Sequence, residues 1–334
     1  MHLWFTYGPS VDDEEVLRKV LLAGATGCRL TFSFGTRALQ EDRGLTMKRL
    51  AADMEHPCLV VADLAGEKIR LGDFAQPQVA IKSGERVTLR RPGTTPDIIT
   101  RLFPITSHRL FANVKAKDRI VIGDGSLLLE IAAVSDDDIE AFALYDGVIN
   151  PNRGLMMQSG SMSPTCLTSK DIEDLEHIAR STVYDMVALS FVSDPADVER
   201  ARKIIRKADR DMPIIAKIET AQGLRNLYAI TDAADMIMAA RGDLATAIDW
   251  VELPSAVELI ARVAGERNKP WVLATQIVEG LERFALPSRA EICDLAHWLN
   301  RSASGVMVSY ETAFGRKPVE AIIAVNRMIE RWGV

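Results

Sequence analysis

The chain predicts an α/β fold: a closed (β/α)8 barrel of the TIM type, interrupted after its third strand by a small all-β lid domain. Three observations carry that expectation. Eight short apolar runs recur along the chain, and amphipathic stretches of helical period lie between neighbours. Most of the runs are rich in Val, Ile or Leu without alternation, as in strands covered on both faces. The connection between the third and fourth runs exceeds a hundred residues, far beyond an ordinary βα loop, and carries short apolar runs of its own.

The eight runs fall at residues 3–7, 28–33, 59–62, 186–191, 214–217, 236–240, 271–275 and 306–309. After the first, EEVLRKVLL at 14–22 follows Asp12 and Asp13, which suit an N-cap. After the fourth, 194–208 opens with Asp194 and Pro195, an acidic cap followed by proline in the first turn. Leu224, Leu227, Ile230 and Ala234 mark a helix between the fifth and sixth runs, and 255–266 and 318–331 keep the same period. Eight such units favour a closed barrel over an open doubly wound sheet. Inside the long connection, 79–81, 85–89, 119–122, 127–131 and 141–144 read as strands parted by Gly, Pro or Asp turns. Its apolar content is too high for disorder. The expected division is therefore barrel over 1–72 and 165–334, and lid over 73–164. With the chain ending at Val334, no third domain is expected.

Composition narrows the function. The chain is 48% hydrophobic and 26% charged, as in ordinary globular proteins. A net charge of −6 with no basic run lacks a nucleic-acid footprint, although a few local cations could still hold small phosphates. Cys28, Cys58, Cys166 and Cys293 form no CxxC pair, which suggests a reducing compartment. No run approaches the roughly 20 residues of a membrane span. The expectation is a cytoplasmic protein with neither nucleic-acid nor membrane partners. The five histidines show no ligand spacing.

The chemistry concentrates between residues 214 and 244. One apolar run stops at Lys217-Ile218-Glu219 and the next at Arg241-Gly242-Asp243. In a parallel barrel both ends lie on one rim, where a divalent cation and an anionic substrate would be held. On spacing alone, Glu219 and Asp243 read equally well as ligands of Mg²⁺ or Mn²⁺ and as salt-bridge partners of Lys217 and Arg241. The N–H groups of Gly242 and Asp243 could receive a carboxylate, with glycine permitting close approach. Taken singly, Lys217 could be a buried structural lysine, Thr275 a structural strand end, and Arg29 and Arg70 surface arginines.

Several segments have a familiar form: RLTFSFGT (29–36), ADLAGEKIRLG (62–72), DRIVIGDGSLLLEI (118–131), LTSKDIEDL (167–175) with VALSFVSDPADVERAR, KIET followed by MAARGDLATAI, KPWVLATQIVEGL (269–281) and VMVSYETAFGRKPVEAI (306–322). In this order, with the insertion where it stands, they resemble the pyruvate kinase family over nearly the whole chain. The resemblance implies a glycolytic phosphotransferase that moves a phosphoryl group between phosphoenolpyruvate and ADP, giving pyruvate and ATP, through the pyruvate enolate. Glu219 and Asp243 would hold Mg²⁺ (or Mn²⁺). Lys217, Arg29 and Arg70 would face the phosphoryl group, and Thr275 would stand where the enolate is protonated. Ser190, Arg241 and Gly242 would join Lys217, Asp243 and Thr275 at the substrate, with Gln276, Glu279, Ser309 and Glu311 in support. Pro9, Arg29, Thr31, Arg70 and Arg153 would meet the nucleotide.

Ser33 and Asp63 match positions that hold a monovalent cation in many members. Leu64 and Lys68 replace the Thr and Glu of potassium-dependent members, so the Lys68 ammonium is expected in the cation's place and K⁺ is not required. The family usually has a further C-terminal domain with a sugar-phosphate effector site. Its absence implies a short form without that regulation. Barrel faces of the family commonly pair, so a homo-oligomer through a helix such as 255–263 is open. Phe34, Thr31 and Arg153 replace a family His, Asn and Lys, and LMMQSGSMSPTC (155–166) departs from its V-N-L-P-G segment. These departures fall on the nucleotide and lid side. They leave two other readings: a Mg²⁺-dependent lyase or aldolase acting on a 2-oxo acid, and a non-catalytic binder of phosphoenolpyruvate or nucleotide.

Overall fold

Strands His2–Thr6, Gly27–Thr31, Leu59–Asp63, Met186–Leu189, Ile214–Ile218, Met236–Ala240, Trp271–Ala274 and Gly305–Val308 follow one another around a closed barrel. Every neighbouring pair is parallel, and the first strand closes on the eighth. This computed structural model describes residues 1–111, 113–158 and 164–333.

The helices start where the sequence supplies caps. Asp13 accepts from Glu15 N–H at 2.7 Å ahead of helix Glu14–Leu22. Reciprocal capping boxes, Thr168 with Asp171, Asp194 with Asp197 and Ser288 with Glu291, open Ser169–Arg180, Pro195–Arg206 and Arg289–Leu299. The helix expected after the fifth strand is two pieces, Ala221–Arg225 and Leu227–Ala233. They part at Asn226, whose side chain donates to the Ser193 carbonyl at 2.7 Å. Trp4, Val61, Ala188, Ile215, Met238, Val272 and Met307 pack together inside the barrel. A Cβ on Gly27 would lie 2.2 Å from Trp4 Cδ1, so only glycine there leaves room for the indole.

The insertion forms a six-stranded sheet, in the order Leu155–Gln158, Arg119–Ile122, Leu127–Val134, Asp138–Ala143, Arg86–Arg90, Leu102–Pro104, and a small pair, Val79–Ile81 with Gly147–Ile149. It has its own apolar core around Val87, Leu89, Phe103, Leu129 and Ile139. Its entry and exit segments are tied together by an Arg70–Gly154 bridge and by Leu71 N–H donating to the Arg153 carbonyl at 2.9 Å. The lid also meets the barrel directly: Gln158 Nε2 donates to the Ile248 carbonyl at 3.0 Å, and Met156 packs with Phe191 and Ala247. Of the exit-segment methionines, Met157 lies in the lid core and Met156 at this seam, while Met162 lies outside the described residues.

Helix Leu253–Glu266, expected as a pairing face, turns Ala256, Val257, Ile260, Val263 and Ala264 into the core. That apolar face is already covered. Among the described residues, no helix is long and apolar enough to cross a membrane.

Candidate active site

Two cavities open at the rim formed by the C-terminal ends of the barrel strands. The larger, about 640 Å³, is lined by Pro9, Arg29, Thr31, Ser33, Lys68, Arg70, Ser190, Lys217 and Asp243. The smaller, about 480 Å³, lies between lid and barrel and is lined by Gly242, Thr275, Gln276, Glu279 and Ser309, with Asp124, Tyr145 and Gln158 from the lid. The expected site residues are thus divided between two chambers that share Ser309 and Tyr310. Asp63, Glu219, Arg241 and Arg153 line neither, and Arg153 stands exposed where the chain leaves the lid.

Behind the larger cavity lies a buried charge cluster. Lys217, only 6% exposed, places Nζ 2.8 Å from Ser190 Oγ, 3.2 Å from Asp63 Oδ1 and 3.2 Å from Glu219 Oε1. Arg29 Nε reaches the other Asp63 oxygen at 2.5 Å, and its Nη1 donates to Thr6 Oγ1 at 3.2 Å. Burial by itself would lower the pKa of Lys217, but Asp63 and then Glu219 hold it above the ordinary value. Burial would likewise raise the Asp63 carboxyl, yet Arg29 and Lys217 hold it below the usual range. Arg70 is more open, with Nη1 on the Asn152 carbonyl at 3.0 Å.

Glu219 is 2% exposed, and Phe191 N–H donates to its Oε2 at 2.7 Å. Burial pushes its pKa up; Lys217 offsets this only in part, and the negative charge of Asp243 adds to it. Two carboxylates, one buried and one lining a cavity, suit a hard divalent cation, which takes oxygen donors and supplies positive charge. These donors fit Mg²⁺ or Mn²⁺, and Glu219 and Asp243 would be the protein's share. Among the described residues there is no group of three or more His, Cys, Asp or Glu side chains arranged to hold a metal. Substrate and water oxygens would complete the coordination.

Three of the expected site residues have other partners than expected. Lys68 shares the larger cavity with Ser33, but its ammonium is not bonded to Asp63: its Nζ donates to Asp243 Oδ1 at 2.5 Å. The reason is charge compensation, because Asp63 already has Arg29 and Lys217 while Asp243 faces the cavity. Arg241 does not reach either cavity; it pairs with Asp294 and donates to the carbonyls of Thr275 (2.8 Å) and Gln276 (2.9 Å). The Gly242 N–H, expected to be open to a carboxylate, donates to Thr275 Oγ1 at 2.7 Å.

Backbone strain gathers at the same rim. Phe191 (φ +56°), Thr275 (φ +69°) and Gln276 (φ +51°) are left-handed, a conformation that is unfavourable above all for a β-branched threonine. The Arg241 guanidinium holds the two carbonyls of that turn. Glu311 Oε1 holds its far side, accepting from the N–H groups of Ile277 and Val278, both at 3.0 Å. Asp171 fixes the loop after the third strand, accepting from Ala65 N–H at 3.0 Å and Gly66 N–H at 3.1 Å. Gly66 is left-handed, and a Cβ there would meet Phe191 Cδ2 at 2.7 Å. Asp171, Asp294 and Phe191 were not singled out from the sequence. Asp171 could have been, as the third position of the Thr168 capping box; nothing local marks the other two.

A barrel whose C-terminal rim gathers a buried lysine, two arginines and two acidic side chains around a cavity defines an enzyme for an anionic, oxygen-rich substrate. The family model described as "Pyruvate kinase, barrel domain" matches residues 2–322. Pyruvate kinase of Thermotoga maritima is 33% identical across 97% of this chain and 69% of its own length. Those of Mycobacterium tuberculosis (34%; 97% and 68%) and Chlamydia trachomatis serovar D (34%; 97% and 67%) are similar to the same extent. The chain belongs to the pyruvate kinase family, whose members are phosphotransferases and generally use a divalent metal.

Proposed function

We propose that this chain moves a phosphoryl group between phosphoenolpyruvate and ADP, by way of the pyruvate enolate. The observation that carries the reading is the larger cavity, where Lys217 Nζ, Arg29 and Arg70 share one wall system with Asp243. Lys217 offsets charge on the phosphoryl group and on the enolate oxygen as transfer proceeds, and the two arginines orient the phosphoryl oxygens. Pro9 and Thr31 lie on the nucleotide side, with Phe34 at the mouth. Thr275, from the smaller cavity, stands on the side from which the enolate is protonated. When bound at Glu219 and Asp243, a divalent cation supplies Lewis acidity to substrate oxygens. A coupled assay of pyruvate release from phosphoenolpyruvate with Mg²⁺, with and without each nucleoside diphosphate, tests the reading. Release that requires a nucleoside diphosphate supports it. Pyruvate formed from a 2-oxo-4-hydroxy acid without nucleotide would replace it with a lyase.

Two further results are expected. A Cβ added at Gly242 would meet only Thr275, at 3.5 Å, which is ordinary contact. Gly242→Ala should therefore leave folding within about 0.5 kcal/mol of wild type in urea denaturation. A larger loss would mean that the turn at Thr275 cannot accept even ordinary contact. Because Asp63 is flanked by two fixed cations, replacing Na⁺ by K⁺ should not raise turnover. Stimulation by K⁺ would mean that a monovalent site lies elsewhere.

A further inference from the structure

The loop after the third strand places one more cation in the site, and its partner is unexpected. Lys68 Nζ donates to Asp243 Oδ1 at 2.5 Å, with both side chains only partly exposed (30% and 25%). The lysine stem is held in position: a Cβ built on Gly154 would lie 2.5 Å from Lys68 Cε, so the stem runs directly over the glycine where the chain returns from the lid. Glycine at 154 allows that approach, and the Arg70–Gly154 bridge fixes the two segments beside each other. At the other end, Lys68 is the only side chain hydrogen-bonded to the Asp243 carboxylate among the described residues.

An ammonium and a divalent cation compete for the same carboxylate lone pairs, since both need close contact with oxygen. We propose that Lys68 is a built-in competitor of the divalent cation at Asp243, and that metal entry requires its ammonium to leave that carboxylate. Lys68 thereby sets the metal affinity of the substrate-free protein. This rests on the reading of Asp243 as a metal-holding residue. It differs from a monovalent-cation substitute, which would leave Asp243 free. The pair is a direct, charge-assisted contact, so its removal acts locally. Loss of a more distant cation such as Arg70 acts only through the screened field.

The test is Mn²⁺ binding to the full chain without substrate, read from the electron paramagnetic resonance signal of free Mn²⁺. Lys68→Met should tighten binding about tenfold, as expected for removing a hydrogen-bonded charged competitor. Lys68→Gln, which keeps much of the stem, should tighten it similarly. Arg70→Met should change it about threefold or less. Equal tightening by Lys68→Met and Arg70→Met would reduce the effect to net charge and overturn the proposal, as would unchanged affinity in Lys68→Met. Asp243→Asn separates the two readings. If it weakens Mn²⁺ binding while the Lys68 variants match wild type, competition alone fails; if it leaves binding unchanged, the metal reading of Asp243 fails and the proposal with it.

Discussion

Lys217→Met is expected to lower turnover by about a hundred- to a thousandfold while KM for phosphoenolpyruvate changes little. The charge of Lys217 matters most where negative charge grows during transfer, so its loss appears in kcat. The same substitution strips the buried carboxylates of Asp63 and Glu219 of a cation 3.2 Å from each. Breaking such a buried network costs roughly 3–5 kcal/mol, so urea denaturation must accompany the kinetics. Lys217→Arg, which keeps the charge, should recover most of the stability and only part of the turnover, because the guanidinium fork does not reproduce the position of the ammonium. Wild-type turnover in a folded Lys217→Met variant would exclude Lys217 from the mechanism.

Asp63→Asn should show the second large effect, on stability. The carboxylate lies between Arg29 Nε and Lys217 Nζ, and it is 1% exposed. Replacing it leaves Arg29 without its carboxylate and Lys217 with Glu219 as its remaining anion, at a cost of roughly 3–5 kcal/mol near pH 7. The sign with pH follows from its depressed pKa: the stabilisation is fully present above the unfolded carboxyl value of about 3.9 and is lost as pH falls through the lower folded value. The gap in unfolding free energy between wild type and Asp63→Asn should therefore be wide at pH 7 and narrow below about pH 4. Glu219, whose pKa is raised by burial, has the opposite sign in both proteins. The Asp63 charge also raises Glu219, so the gap between the two proteins reports Asp63 together with its effect on Glu219. A gap independent of pH would show that the ionised carboxylate is not its source.

Much of the barrel was legible because its signals are local. Continuous apolar runs and cap residues marked the strands to within a few residues, and helix Glu14–Leu22 carried its own cap. Lid strands Val79–Ile81 and Arg119–Ile122 stood out between turn residues. Leu102–Pro104, Gly147–Ile149 and Leu155–Gln158 did not: the first ends in proline on a sheet edge, the second starts on a glycine that reads as turn, and the third leads straight out of the lid. Helix Arg37–Asp53 was also missed: it buries Gln40 and Gly44 beside Met47 and Leu50, so its inner face does not read as apolar.

The sequence by itself determined the order of strands, the place of the insertion, and the rim on which Lys217, Glu219, Arg241 and Asp243 would emerge, because hydrophobic periodicity and strand ends are properties of a few neighbouring residues. Only the tertiary structure decided the pairings on that rim. Lys217 joins Asp63 across 154 positions and Lys68 joins Asp243 across 175, Arg241 turns to Asp294, and the site divides into two chambers. Several cations and carboxylates lie within reach of one another there. Which pairs form depends on how deeply each is buried and which charges are already compensated, and neither is fixed until the barrel has closed.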